Sequence, residues 1–233
     1  MFDADDNNQA RLVRSSTEQT SQVLTREVSV GDRTFIASAR TKGEMTDFGQ
    51  IKEITLPEGW VEAPAEKGLS TVTLRMFHPE GKNDISINLY YRGQPLDEDS
   101  ARTFHNLLSA RAGSHAPEKL SPLEIRSLDR AMGYTTVGDN QYTNSARRGD
   151  RNYPVFNLAT AEVLPVNGRT TLKVTGTFQD QNGMPLNEYC GYFIDADGQG
   201  KNVDEIFYQA KTRGKYMLHV KDFENTLKSI QWQ

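Results

Sequence analysis

Four histidines, His78, His105, His115 and His219, and a lone cysteine, Cys190, are the side chains of this 233-residue sequence that most readily do nucleophilic or metal chemistry. No two histidines stand at the near spacing that sets two imidazoles on one metal ion, and one cysteine forms neither an intrachain disulfide nor a Cys-rich cage. Cys190, within "NEYCGYFID", reads as a small buried hydrophobe. The signatures G-x-S-x-G, S-x-x-K, H-E-x-x-H and G-x-x-x-x-G-K-[ST] are absent, which removes the usual sequence basis for nucleophilic and phosphoryl-transfer chemistry. A hydrolytic site would have to be assembled from distant carboxylates with His105 and His219.

The densest group of hard oxygen ligands is "DADGQGKNVDE", where Asp195, Asp197, Asp204 and Glu205 could surround a calcium ion. An EF-hand loop carries its glycine two places later than Gly198 and lies between helices, whereas this loop joins expected strands. Asp and Gly are also what a tight turn requires, so the turn is the preferred reading. No metal or other cofactor is assigned. Arg147 and Arg148, with Arg151 and Tyr153, form a local cationic patch suited to an acidic partner or to a solvated loop. Aromatic side chains suggest a binding face more than a reaction. Tyr91, Tyr192 and Tyr208 lie on expected strands whose two faces cannot both turn toward one helix layer. Trp60, in "ITLPEGWVEAP", follows a Pro57–Gly59 turn and precedes Pro64, as befits a plug where a strand leaves the sheet or the wall of a groove.

These residues need elements to hold them. "VLTREVSVGDRTFIASAR" reads as a hairpin turning at Gly31–Asp32, and residues 51–56 as a strand. In "LSTVTLRMFHP" Val72, Leu74 and Met76 fall on one face at period two, and Ile85, Ile87, Leu89 and Tyr91 do so in "DISINLYYR". Ala101, Phe104 and Leu108 are spaced for a helix that Asp97 caps. "SPLEIRSLDRAMG" carries Ser121 as N-cap, Pro122 at the first helical position, Glu124 to complete a capping box and Gly133 to end it. Two short strands are expected around Gly138–Asn140. Asn167–Gly168 joins "VFNLATAEVLPV" to "RTTLKVTGTF" as a hairpin, and "EYCGYFID" and "VDEIFYQA" are further strands. A last helix is expected over "DFENTLKSI", with Asp222 at its positive end.

Strands in the majority, joined by hairpins, with helices early and last, give an α+β fold around an antiparallel sheet. Residues 1–22 are polar and acidic and read as an arm, and residues 23–233 as one domain carrying a hairpin extension at 23–49. The 27 basic and 31 acidic residues are interspersed, which argues against a nucleic-acid binder needing a basic face. No apolar run approaches the roughly 20 residues of a membrane span. The N-terminus lacks the basic-then-apolar order of a secretory signal, so a cytoplasmic location is expected, with export without a cleaved signal as the alternative.

The order of a strand ending in "LPEGW", two alternating strands, a helix, hairpins with "LKVTGTF" and a closing F-x-x-x-L-x-S-I helix (Phe223, Leu227, Ser229, Ile230) resembles the PsbP/Mog-like superfamily over roughly residues 50–231. The resemblance implies an α/β/α sandwich about an antiparallel sheet. It also implies a binding or assembly role, as in a photosystem accessory subunit, a Ran-binding protein and bacterial adaptor chaperones. The leading expectation is thus a non-catalytic adaptor or chaperone-like module holding a protein segment on a sheet face or in a groove. The alternatives are the hydrolase above and an exported protein using residues 1–22 as a docking peptide.

Overall fold

The structure, a computed structural model, describes residues 33–36, 50–63, 73–91, 95–131, 155–180 and 182–233. The expected strands at 134–148, together with Met132, Gly133, Arg147 and Arg148, lie outside these residues, as does all but 33–36 of the hairpin expected over 23–40.

Eight strands form one antiparallel sheet. They are β3 (Trp60–Glu62), β4 (Thr73–Pro79), β5 (Ile85–Tyr91), β6 (Glu118–Lys119), β7 (Val155–Val166), β8 (Arg169–Gln179), β9 (Pro185–Asp195) and β10 (Val203–Ala210). Their spatial order is β3-β4-β5-β10-β9-β8-β7-β6. A second sheet places β2 (Ile51–Leu56) between β1 (Arg33–Ile36) and β11 (Gln231–Trp232). Helices α1 (Glu98–Ser109) and α2 (Pro122–Ala131) lie between β5 and β7 in sequence, and α3 (Arg213–Lys228) follows β10.

Period-two alternation sends successive side chains to opposite faces of the large sheet, and both faces are covered. On one, Ile85, Ile87, Leu89, Tyr192, Ile206 and Tyr208 pack with Phe223 and Leu227 of α3 and with Ile51, Ile54 and Leu56 of β2. On the other, Leu172, Val174, Tyr189, Phe193 and Val203 pack with Phe104 and Leu108 of α1 and Leu128 of α2. The result is an α+β fold with helices on either side of an antiparallel sheet.

Local chemistry explains the element ends. Asp97 Oδ1 accepts the Asp99 and Ser100 amides at 3.1 and 3.0 Å and starts α1. At α2 the capping box is reciprocal: Glu124 Oε2 accepts the Ser121 amide at 2.8 Å, and Ser121 Oγ accepts the Glu124 amide at 3.3 Å. These bonds and Arg111 hold the Glu124 carboxyl down at about 2, with the Arg111 hydrogen bond the largest cause. Asn167 (φ 47°) and Gly168 (φ 83°) make the β7–β8 turn in the left-handed region such two-residue hairpins demand. The Asn167 side chain also donates to Lys228 O at 2.9 Å and Ile230 O at 2.8 Å, so this hairpin tip caps the end of α3.

Two expectations are corrected. The last helix begins at Arg213, with Thr212 as N-cap, so Asp222 sits mid-helix rather than at its positive end. Gly214 and the exposed Met217 and Leu218 blur the apolar stripe of its first half, which conceals it in sequence. On β4 the core side is that of Phe77, fully buried, while Met76 is only half-buried. Phe77 faces Ile87 across the ladder, and Arg75 on the same side is held by Glu62 at 2.7 and 2.9 Å.

Candidate functional site

Three of the four aromatic residues expected to form a binding face, Trp60, Tyr192 and Tyr208, are core instead. Tyr208 is fully buried, with its hydroxyl 3.1 Å from the carbonyls of Lys215 and Tyr216. Tyr192 packs edge-on against Phe223, and burial raises both phenol pKa values. Trp60 is 3% exposed and meets the His219 ring at 77° and 6.3 Å between centroids. The physical reason is that α3 and the small sheet pack on the part of the sheet face that carries them. Tyr91 pairs through its backbone with Thr73 and Asp204, its side chain lying outside the described set, and Arg147 and Arg148 lie outside it entirely.

The four calcium-candidate carboxylates do not converge. Asp204 and Glu205 are consecutive on β10 and point to opposite faces. Asp197 accepts the amides of Gln199, Lys201 and Asn202 at 2.9–3.2 Å and so organises the β9–β10 loop as a turn. Among the described residues no group of three or more His, Cys, Asp or Glu side chains could hold a metal ion.

Two of the concave sites among the described residues gather candidate side chains. The first, about 430 Å³, lies between the C-terminal half of α1, the start of β8 and the β9–β10 loop. The loop seats on α1 through Gly200, whose φ is 75° and where a Cβ would stand 2.1 Å from Ala101 O, so only glycine fits. This contact brings Asp195 to His105, ninety residues earlier, with Asp195 Oδ2 2.9 Å from His105 Nδ1. Asp195 Oδ1 accepts the Gly200 amide at 2.8 Å. One turn along α1, Ser109 Oγ lies 3.1 Å from His105 Nε2. The Asp195 carboxylate favours the proton on Nδ1, which leaves Nε2 to accept from the serine hydroxyl. Opposite, Arg169 stacks 5.1 Å over Trp232 and donates to Gln50 Oε1 at 2.7 Å. Burial lowers its pKa while the charges of Asp204 and Asp195 support it.

The hydrogen-bond order Ser109–His105–Asp195 is that of a nucleophile, base and orienting acid. Its surroundings are wrong for acyl transfer. Ser109 ends α1 at the carbonyl pole, whose field opposes a nascent oxyanion. In the β9–β10 loop the amides of Gln199, Gly200, Lys201 and Asn202 are already donated to Asp195 and Asp197.

The second concavity, about 440 Å³, is lined by residues 81–85 of the β4–β5 turn and by Lys211, Lys215, Leu218 and His219. Its walls are tied together: the Lys211 amide donates to Asp84 O at 2.9 Å, and the Lys215 ammonium pairs with the Asp84 carboxylate. His219 Nδ1 lies 2.9 Å from Asp222 Oδ2, which fixes the ring against Trp60. Leu218, at 70% exposure, lines this concavity, and its sequence neighbour Met217 is 56% exposed. Sequence reasoning missed this site, although two adjacent bulky apolar residues amid lysines, ahead of the expected helix, were the signal for it. His219, set there before the helix, belongs to its wall.

No family model and no curated protein matches the chain. Among solved structures it is similar to the solution structure of cyanobacterial PsbP from Synechocystis sp. PCC 6803. The two share 10% identity and a TM-score of 0.47 over 94% of this chain and 98% of that one. It is also similar to a Pseudomonas aeruginosa protein of unknown function, with 9% identity and a TM-score of 0.35 over 78% of this chain and 91% of that one. No site residue is carried over from these likenesses. Among the described residues no helix is long and apolar enough to cross a membrane.

Proposed function

We propose that the chain is a non-catalytic protein-binding module of adaptor or chaperone-like kind, which holds a segment of another protein in the groove between the β4–β5 turn and the first half of α3. The observation that carries this reading is the exposure of Leu218 on the wall of that groove, with the exposed Met217 next to it in sequence. Covering apolar surface beside a concavity is favourable at about 25 cal/mol per Å². Walls already pinned by Asp84 lose little further freedom on binding. In affinity capture from the native cell, proteins retained by the wild-type chain are expected to be lost by Leu218→Ser and kept by Leu123→Ser. Leu123 is a matched control, being 65% exposed on α2. Equal loss from both variants, or from neither, contradicts the reading.

One specific observation favours a second reading, a hydrolase, namely the Ser109–His105–Asp195 chain in the other depression. A serine-directed fluorophosphonate separates the two. The binding-module reading expects no labelling, whereas labelling abolished by both Ser109→Ala and His105→Ala establishes the hydrolase.

A further inference from the structure

We infer that the α3 groove selects a short acidic segment bearing one or two bulky apolar side chains, an inference that rests on the binding-module reading above. Three lysines, Lys82, Lys211 and Lys215, line the groove against a single acid, Asp84. Lys215 is engaged by Asp84, while neither Lys82 nor Lys211 has an ion-pair partner among the described residues. The exposed Lys221 extends the positive surface along α3, while Arg213, stacked 5.3 Å over Tyr216, is balanced by Glu188 at 3.2 Å.

The helix itself adds to this field. α1 carries Glu98 and Asp99 in its first turn and α2 carries Glu124, as the dipole favours, whereas α3 has no acid in its first turn. Instead Lys211, Arg213 and Lys215 crowd its positive pole, with Thr212 Oγ1 accepting the Lys215 amide at 3.3 Å as its cap. Asp84 balances Lys215 and Glu188 balances Arg213, which leaves Lys211 at this pole to meet an incoming carboxylate. Apolar Leu218 and Met217 then contact the bulky side chain of the same segment, so that charge sets the approach and apolar contact sets the residence.

Other occupants fit less well. A second copy related by two-fold symmetry would set this patch against itself, lysines facing lysines. An anionic membrane favours a protruding apolar surface, whereas Leu218 flanks a concavity that contains Asp84.

The test uses fluorescent synthetic peptides of about twelve residues and the full chain. One peptide is rich in Asp and Glu around a central Leu-Phe pair. A second replaces each acid by its amide, and a third replaces it by Lys. The acidic peptide is expected to bind best, with affinity falling as salt rises, and Lys82→Glu with Lys211→Glu should weaken it roughly tenfold. The same double variant should gain affinity for the Lys peptide, a reversal that a misfolded protein does not give. Leu218→Ser should weaken the acidic peptide and leave its salt dependence unchanged. Equal binding of the acidic and amide peptides, both sensitive to Leu218→Ser, overturns the acidic preference while the binding-module reading survives. Binding of none of the peptides, or insensitivity to Leu218→Ser, overturns both. Preference for phosphatidylserine vesicles over every peptide, or self-association abolished by Leu218→Ser, also overturns the inference.

Discussion

At pH 8, Glu205→Gln is expected to raise the unfolding free energy on the order of 3 kcal/mol over the wild type, and at pH 4 to leave it nearly unchanged. Glu205 lies on the α1/α2 face of β10, where burial pushes its carboxyl up to about 7 although the Tyr189 hydroxyl donates to it and works the other way. A raised pKa means that the folded state holds the proton more tightly than the unfolded chain does. The contribution is therefore complete below about pH 4.5 and is lost as pH rises through about 7. Glutamine keeps an acceptor for Tyr189 and never ionises. Tyr189 reaches Glu205 by lying across Gly191, where a Cβ would stand 1.9 Å from the phenol oxygen, so the carboxyl and its donor share one tightly fitted place. Urea unfolding of both proteins from pH 4 to pH 8 checks this. A constant difference across that range would mean that the Glu205 carboxyl has the same pKa in the folded and unfolded states.

Trp60→Ala is expected to cost roughly 3–5 kcal/mol. The indole starts β3 after a turn closed by the Trp60 amide to Pro57 O at 3.2 Å, with Gly59 at φ 76°. From there it closes the edge of the core shared by β4, β5 and α3. The same ring backs His219, a wall of the α3 groove, so Trp60→Phe should retain most of the stability yet loosen peptide binding. Thermal or urea unfolding reads the first effect. A loss of less than about 1 kcal/mol for the alanine variant would mean that the indole does not seal the core.

What was legible in the sequence was local. The Ser121–Glu124 capping box, the Asp97 cap and the Asn167–Gly168 turn each depend on residues a few positions apart, and each forms as its chemistry requires. The strand from Ile85 to Tyr91 followed from period-two alternation for the same reason. Less was legible where partners are distant. Nothing near His105 announces Asp195, because their meeting depends on a glycine at 200 that lets the loop touch α1. Tyr192 and Tyr208 looked available because one strand does not reveal how many layers cover it, and here helices or strands cover both faces. The first half of α3 was hidden by its departures from an ordinary helix: Gly214, cations where acids are usual, and Met217 and Leu218 facing outward. Those same departures mark the groove.

Backbone amide NMR of the isotope-labelled chain, titrated with the acidic Leu-Phe peptide, tests most directly where this protein does its work. Shift changes are expected to gather at residues 81–85 and 211–219 and to leave His105, Ser109 and residues 195–198 unmoved. Changes centred on the His105–Asp195 depression, or scattered without a focus, would contradict a holding role for the α3 groove.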